Sequence, residues 1–152
     1  MSHSFLQPSY LALYRSGELQ TRADLLESRL ADCDLCPHLC HVNRLEGEIG
    51  FCRSGPQSIV CAVCDHHGEE PPVSGERGSG TIFFGNCTMR CVYCQNYQIS
   101  QNPRAMNGKE MDARSLAVKM LFLQNDLGCH NINLVSPTHF VPQIVRAVLE
   151  AV

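Results

Sequence analysis

The chain has 152 residues, 10 of them cysteine, with 12 basic against 15 acidic side chains and a formal net charge of −3. That balance supplies no positive field for nucleic acid, and 44% hydrophobic against 18% charged residues excludes wholesale disorder. No apolar run reaches the roughly 20 residues a bilayer demands, and Met1 to Tyr10 lacks the basic-then-apolar pattern of a signal peptide, so the expected setting is cytoplasmic, with neither membrane nor nucleic acid as a partner.

Tyr10, Leu11, Leu13 and Tyr14 form a short apolar patch that stops at Gly17, a helix terminator. Thr21 with Asp24 resembles a capping box, after which Ala23, Leu26 and Leu30 recur at helical spacing. That helix delivers the chain to Cys33. From Cys33 to Gly55 the sequence bears Cys, Gly and Pro but no period, so something other than a core must order it. Ser58 to Val63 is expected to be a short strand. The Gly- and Pro-rich stretch from Gly68 to Gly80 reads as a loop, dividing the chain into 1–75 and 76–152.

Thr81 to Phe84 is a compact β-type run ending at Gly85. A long loop, Asn86 to Met111, follows. Asp112 then caps a helix whose Leu116, Met120, Leu123 and Leu127 share one face and which Gly128 closes. Ile132 to Val135 is a second buried-type strand. Pro142 suits a first helical turn, with Val145, Val148, Leu149 and Val152 as its apolar stripe. Two buried strands joined by a helix make a right-handed parallel βαβ unit. Such a pair needs cover on both faces and both edges, and the final stripe has no cap. The expected fold is therefore α/β, the front part of a longer barrel or sheet.

Ten cysteines in a cytoplasmic chain point away from disulfides and toward metal or catalytic thiolates. Cys87, Cys91 and Cys94 have C-x3-C-x2-C spacing directly after a strand, where α/β folds gather their active groups. A closed zinc site wants four protein ligands. A corner without a protein thiolate is what an iron–sulfur cluster needs to bind substrate. Cys129 stands at the start of the second strand, a strand length of roughly 17 Å from the loop, and reads as a small buried hydrophobe. Cys61, Cys64, His66 and His67 remain open as a fourth ligand to a zinc knuckle.

Cys33, Cys36, Cys40 and Cys52 supply four thiolates, enough to close a coordination sphere around Zn(II) or a second, electron-relaying cluster. Gly47 and Gly50 let the chain turn before Cys52, Pro37 stiffens it, and His38 and His41 are alternative ligands. A ribbon joining Cys33 and Cys36 to Cys61 and Cys64 would span 24 residues, longer than the usual gap of about 15–20. Glu69 and Glu70, between Gly68 and Pro71, suit a solvated turn.

The strand-terminal C-x3-C-x-aromatic-C resembles the radical S-adenosylmethionine enzymes. "GTIFFGNCTMRCVYCQNYQIS", "HHGEEPPVSG" and "GCHNINLVSPTHFVPQIV" together resemble the pyruvate formate-lyase activating enzyme-related subgroup, and "CDLCPHLCHVNRLEGEIGFC" is similar to its N-terminal cysteine segment. The resemblance runs from about Tyr10 onward. It implies a helical, Cys-rich N-terminal module followed by the first two βα units of a (β/α) partial TIM barrel. It also implies a [4Fe–4S] cluster on Cys87, Cys91 and Cys94, with S-adenosylmethionine on the fourth iron. One electron, from a donor such as flavodoxin or ferredoxin, would cleave the sulfonium to a 5′-deoxyadenosyl radical that takes hydrogen from a protein or small-molecule substrate. Tyr93 matches the aromatic residue expected near the adenine; its alternative is packing on the barrel rim. Where the superfamily often has Gly-Gly-Glu, this chain has Ser136-Pro137-Thr138-His139. Ser136 and Thr138 would then serve the cofactor's amino group, and His139 is equally a polar residue at a helix start. The alternative from another class is a zinc-binding interaction module without catalysis.

Overall fold

A computed structural model describes residues 7–152. Gly17, at φ +78°, ends α1 (Tyr10–Arg15) and starts α2 (Glu18–Ser28). The second helix thus begins ahead of the expected capping box. Thr21 lies within it, its hydroxyl donating to Gly17 O at 3.3 Å. Asp24 and Glu27 instead hold Arg146, binding α2 to α6 (Val141–Ala151). Leu19 and Ala23 are buried on the same helix.

From residue 29 to 57 the chain forms only one 3-10 turn, Arg44–Glu46. It then enters β1 (Ser58–His66), which extends three residues beyond the expected strand. A short helix, α3 (Pro71–Ser74), leads to β2 (Ser79–Phe84). The expected loop from Asn86 to Met111 contains α4 (Tyr97–Gln101) and β3 (Lys109–Met111). β3 is only three residues long and becomes a strand by pairing with Ser58, Ile59 and Val60, a partner its local sequence does not advertise. After it come α5 (Ala113–Leu121) and β4 (Ile132–Val135).

The four strands form one mixed sheet in the order β3-β1-β2-β4. β1 is antiparallel to β2 and to β3, whereas β2 and β4 are parallel, Gly80 opposite Ile132 and Phe83 opposite Val135. The parallel pair joined by α5 is as expected. The sheet also crosses the expected division at residue 75, because β1 lies before it and β2 after it.

The core lies between the sheet and helices α5 and α6, around Ile82, Phe84, Leu116, Leu123, Phe140 and Ala147. Two stripes differ from expectation. Leu116, Met120 and Leu123 are buried, but Leu127 is 37% exposed. A π turn at Phe122–Asp126 closes with Leu127 N–H bonded to Phe122 O and rotates Leu127 off the face. On α6 the buried side chains are Pro142, Gln143, Ile144 and Ala147, and Val152 is exposed. That helix is apolar on more than one face, so docking against α5 and α2 selects which one is covered. No helix among the described residues is long and apolar enough to cross a membrane.

The topology brings three chain segments to one end of the sheet. Parallel pairing puts the carboxyl ends of β2 and β4 side by side. Antiparallel pairing puts the start of β1 there too, and with it the segment from Cys33 to Gly55 that feeds β1.

Candidate functional site

β2 ends in buried Phe84, and Gly85 follows in a gap too tight for a side chain. A Cβ there would meet Ile59 Cγ2 at 2.6 Å and Pro103 Cβ at 2.7 Å. Asn86 takes a left-handed φ of +65° and turns the chain. Its Nδ2 donates to Arg53 O and to Ser54 Oγ, each at 3.0 Å, and its backbone N–H to Ile99 O at 3.0 Å. This pinned turn presents Cys87.

Cys87 Sγ accepts from Met89 N–H at 3.3 Å. Burial pushes its pKa up, but hydrogen bonds from the backbone N–H groups of Arg90, Met89 and Thr88, and from the Ser136 hydroxyl, outweigh burial and hold it below the ordinary thiol value. Ser136 arrives from the end of β4 with φ +58°. The loop continues through Arg90 at φ +49° to Cys91, and a turn bonded from Cys94 N–H to Cys91 O leads to Cys94. Cys94 Sγ lies 3.4 Å from Ser100 Oγ. All three thiols are half-buried, while Met89, Tyr93 and Val92 beside them are 74%, 85% and 100% exposed.

The first cysteine segment has another character. Cys33 and Cys52 are buried, and Cys36 and Cys40 half-buried. All four, with Arg44 and His139, line one cavity of about 10 Å³. Cys33 N–H bonds Val42 O, and His41 N–H returns to Cys33 O. Cys40 Sγ accepts from Phe51 N–H at 3.4 Å. Asn43 caps the 3-10 turn, its Oδ1 accepting from Leu45 and Glu46 N–H. Burial pushes the Cys36 thiol up, and the neighbouring Cys52, Cys40 and Cys33 add to it.

The two segments touch. His38 Nε2–H donates to Thr88 O at 2.8 Å. Phe51 stacks on His38 at 3.7 Å between ring centroids, and Arg90 lies over Phe51 at 5.6 Å. Below them His139 Nε2–H donates to Gly85 O at 3.0 Å and its own carbonyl accepts from Arg44 Nη1 at 2.8 Å. Burial drives the His139 pKa down to about 4, so the ring is neutral near pH 7.

The other candidate ligands go elsewhere. His66 and His67 lie at or just beyond the end of β1 that pairs with Ser79, six residues and roughly 20 Å along the strand from Gly85. Cys64 lies toward that end and beside Cys129. Cys129 is buried and its N–H bonds Leu123 O, as a core residue. Cys61, in an irregular part of β1, packs near Gly85 and Gly108, and burial raises its thiol pKa. The ribbon alternative therefore loses Cys61 and Cys64, since Cys40 and Cys52 complete the first group. Glu69 pairs with His66 at 3.3 Å when that ring is protonated, an exposed contact.

Among the expected cofactor contacts, Ser136 reaches Cys87. Tyr93 and Thr138 are exposed and make no side-chain hydrogen bond among the described residues. No three Cys, His, Asp or Glu side chains among those residues already stand in ligating geometry. Sequence reasoning missed Arg44, Asn86 and the His38–Phe51–Arg90 stack. Only Arg44 leaves a trace in the sequence, as a lone cation inside a cysteine segment.

The donor set suits a cluster at the loop: three half-buried thiols within eight residues, the pKa of one of them lowered by its neighbours. No family model matches the chain, and no solved structure matches it. It is 40% identical over 83 residues to the uncharacterized protein MJ0674 of Methanocaldococcus jannaschii, an alignment covering 55% of this chain and 23% of that protein. It is 30% identical over 91 residues to the uncharacterized protein MJ0808 of the same organism, covering 51% of this chain and 27% of that one. The chain thus spans about a quarter of the length of the curated relatives it matches.

Proposed function

We propose that this chain carries the cluster-binding part of a radical S-adenosylmethionine enzyme resembling the pyruvate formate-lyase activating enzymes, with an N-terminal portion of a (β/α) barrel as its frame. The observation that carries the reading is Cys87: a thiol at the carboxyl end of a parallel strand that accepts from Met89 N–H at 3.3 Å, its pKa lowered by the surrounding backbone N–H groups and by Ser136 of the neighbouring strand end. Cys87, Cys91 and Cys94 would hold a [4Fe–4S] cluster. With S-adenosylmethionine bound, that group supplies one-electron cleavage of a sulfonium and hydrogen-atom abstraction from substrate.

The chain's own residues hold and orient. The N–H groups around Cys87 stabilise sulfur as thiolate, the form that ligates iron. Asn86 and Gly85 fix the point at which the loop leaves the sheet. Ser136 and Thr138 lie at the β4 end, where the cofactor's polar end would sit, and exposed Tyr93 offers a face for its adenine. The exposed apolar side chains Met89 and Val92 offer a surface for a flavodoxin- or ferredoxin-like donor or for a protein substrate. The parallel β2–β4 pair with its connecting helix supports the barrel reading. The expected place of work is the cytoplasm.

The test is anaerobic reconstitution followed by chemical reduction with S-adenosylmethionine. The expected result is brown protein containing iron and sulfide that releases methionine and 5′-deoxyadenosine, with product lost in Cys87→Ala. Colourless protein carrying zinc at both cysteine segments would favour the non-catalytic zinc-binding module.

A further inference from the structure

Arg44 is fully buried. Its guanidinium donates to Gly55 O at 2.6 and 3.1 Å and to His139 O at 2.8 Å, all neutral acceptors, and Nη1 lies 3.9 Å from Cys33 Sγ. No carboxylate pairs with it among the described residues. A buried cation without an anion is costly, so its counter-charge has to lie within reach. The place is the cavity that Arg44 lines with Cys33, Cys36, Cys40 and Cys52. At about 10 Å³ it has room for one atom-sized body. Donors already face its sulfurs, Phe51 N–H on Cys40 and the Arg44 guanidinium on Cys33. Such donors favour thiolate and tune metal ligands.

We propose that Cys33, Cys36, Cys40 and Cys52 close around a single Zn(II) ion, and that the net negative charge of this tetrathiolate centre balances buried Arg44. The sulfurs are gathered but not yet converged. Each cysteine has one side-chain torsion with three staggered settings, and binding draws the four together as the segment orders. The ion would fasten a stretch that has one 3-10 turn and little core of its own. Through His38 and Phe51 it would also brace Thr88 and Arg90 of the three-cysteine loop. The site stands whether or not the loop does radical chemistry.

The experiment strips the chain of metal anaerobically and adds Zn(II) alone, then Co(II) alone, to wild type and to the variant Cys87→Ser/Cys91→Ser/Cys94→Ser. The expected result is one tightly held zinc per chain in the loop variant, and a cobalt spectrum with tetrahedral, four-thiolate absorption. Cys36→Ser should weaken zinc by more than the roughly 10–100-fold typical of outer-shell changes. The loop variant keeps the readout independent of whether Cys36→Ser folds. Loss of zinc from the loop variant, a six-coordinate cobalt spectrum, or iron and sulfide retained there after reconstitution would each overturn the proposal. The radical reading fails separately, by absence of 5′-deoxyadenosine from reconstituted wild type.

Discussion

Cys33 and Cys52 are buried around a cavity the size of one atom, whereas Cys87, Cys91 and Cys94 are half-buried beside side chains almost wholly in solvent. Both groups sit at the same end of one sheet and share the contact from His38 to Thr88. The difference between them is closure. Four thiols that line one cavity with a buried cation suit a structural ion with every position filled. Three thiols on an exposed loop leave room for a molecule to bind, and substrate chemistry requires that room. Cysteine count and spacing mark both groups, and the burial of Cys33 and Cys52 is what assigns them different tasks in the two proposals.

The comparison breaks most severely at the loop. Cys87→Ala should reduce 5′-deoxyadenosine formation to background, measured chromatographically, while leaving the zinc content of the first segment unchanged. An equal loss of both metals would make the two centres one unit. Next in size is Arg44→Ala, which removes a buried charge and strands the Gly55 and His139 carbonyls. Denaturant titration of the zinc-loaded protein should show a loss of about 3–5 kcal/mol.

A smaller effect comes from His139. Its folded pKa, about 4, is below the ordinary 6.5, so the unfolded chain binds the proton first. Stability should be fully present above about pH 6.5 and fall as pH drops toward 4, by about 3 kcal/mol in all. His139→Gln should flatten that slope in a pH series of melts. Smallest is Gly85→Ala. Its new methyl group collides with Ile59 and Pro103 at the root of the loop, costing about 1–3 kcal/mol by denaturant titration. Cluster binding should fall with it while zinc remains, which would sharpen the distinction between the centres.

Much of the frame was legible. Thr81 to Phe84 and Ile132 to Val135 are dense in apolar residues, and both are strands of a parallel pair. Asp112 caps α5 as its type suggests, accepting from Ser115 N–H at 2.7 Å. The less legible parts depend on partners far along the chain. Lys109 to Met111 is strand only because β1 is beside it, and Leu127 leaves its stripe because a π turn intervenes. At the site, spacing marked Cys87, Cys91 and Cys94, and the structure adds Ser136 beside Cys87. Arg44 and Asn86 could not be assigned from sequence, since their value lies in carbonyls and hydroxyls brought from other segments.

The most direct test of the account is the electron paramagnetic resonance spectrum of the reconstituted, reduced chain, recorded before and after adding S-adenosylmethionine. The account predicts a cluster signal that changes shape on addition and is lost in Cys87→Ala. A signal indifferent to the added sulfonium would contradict it.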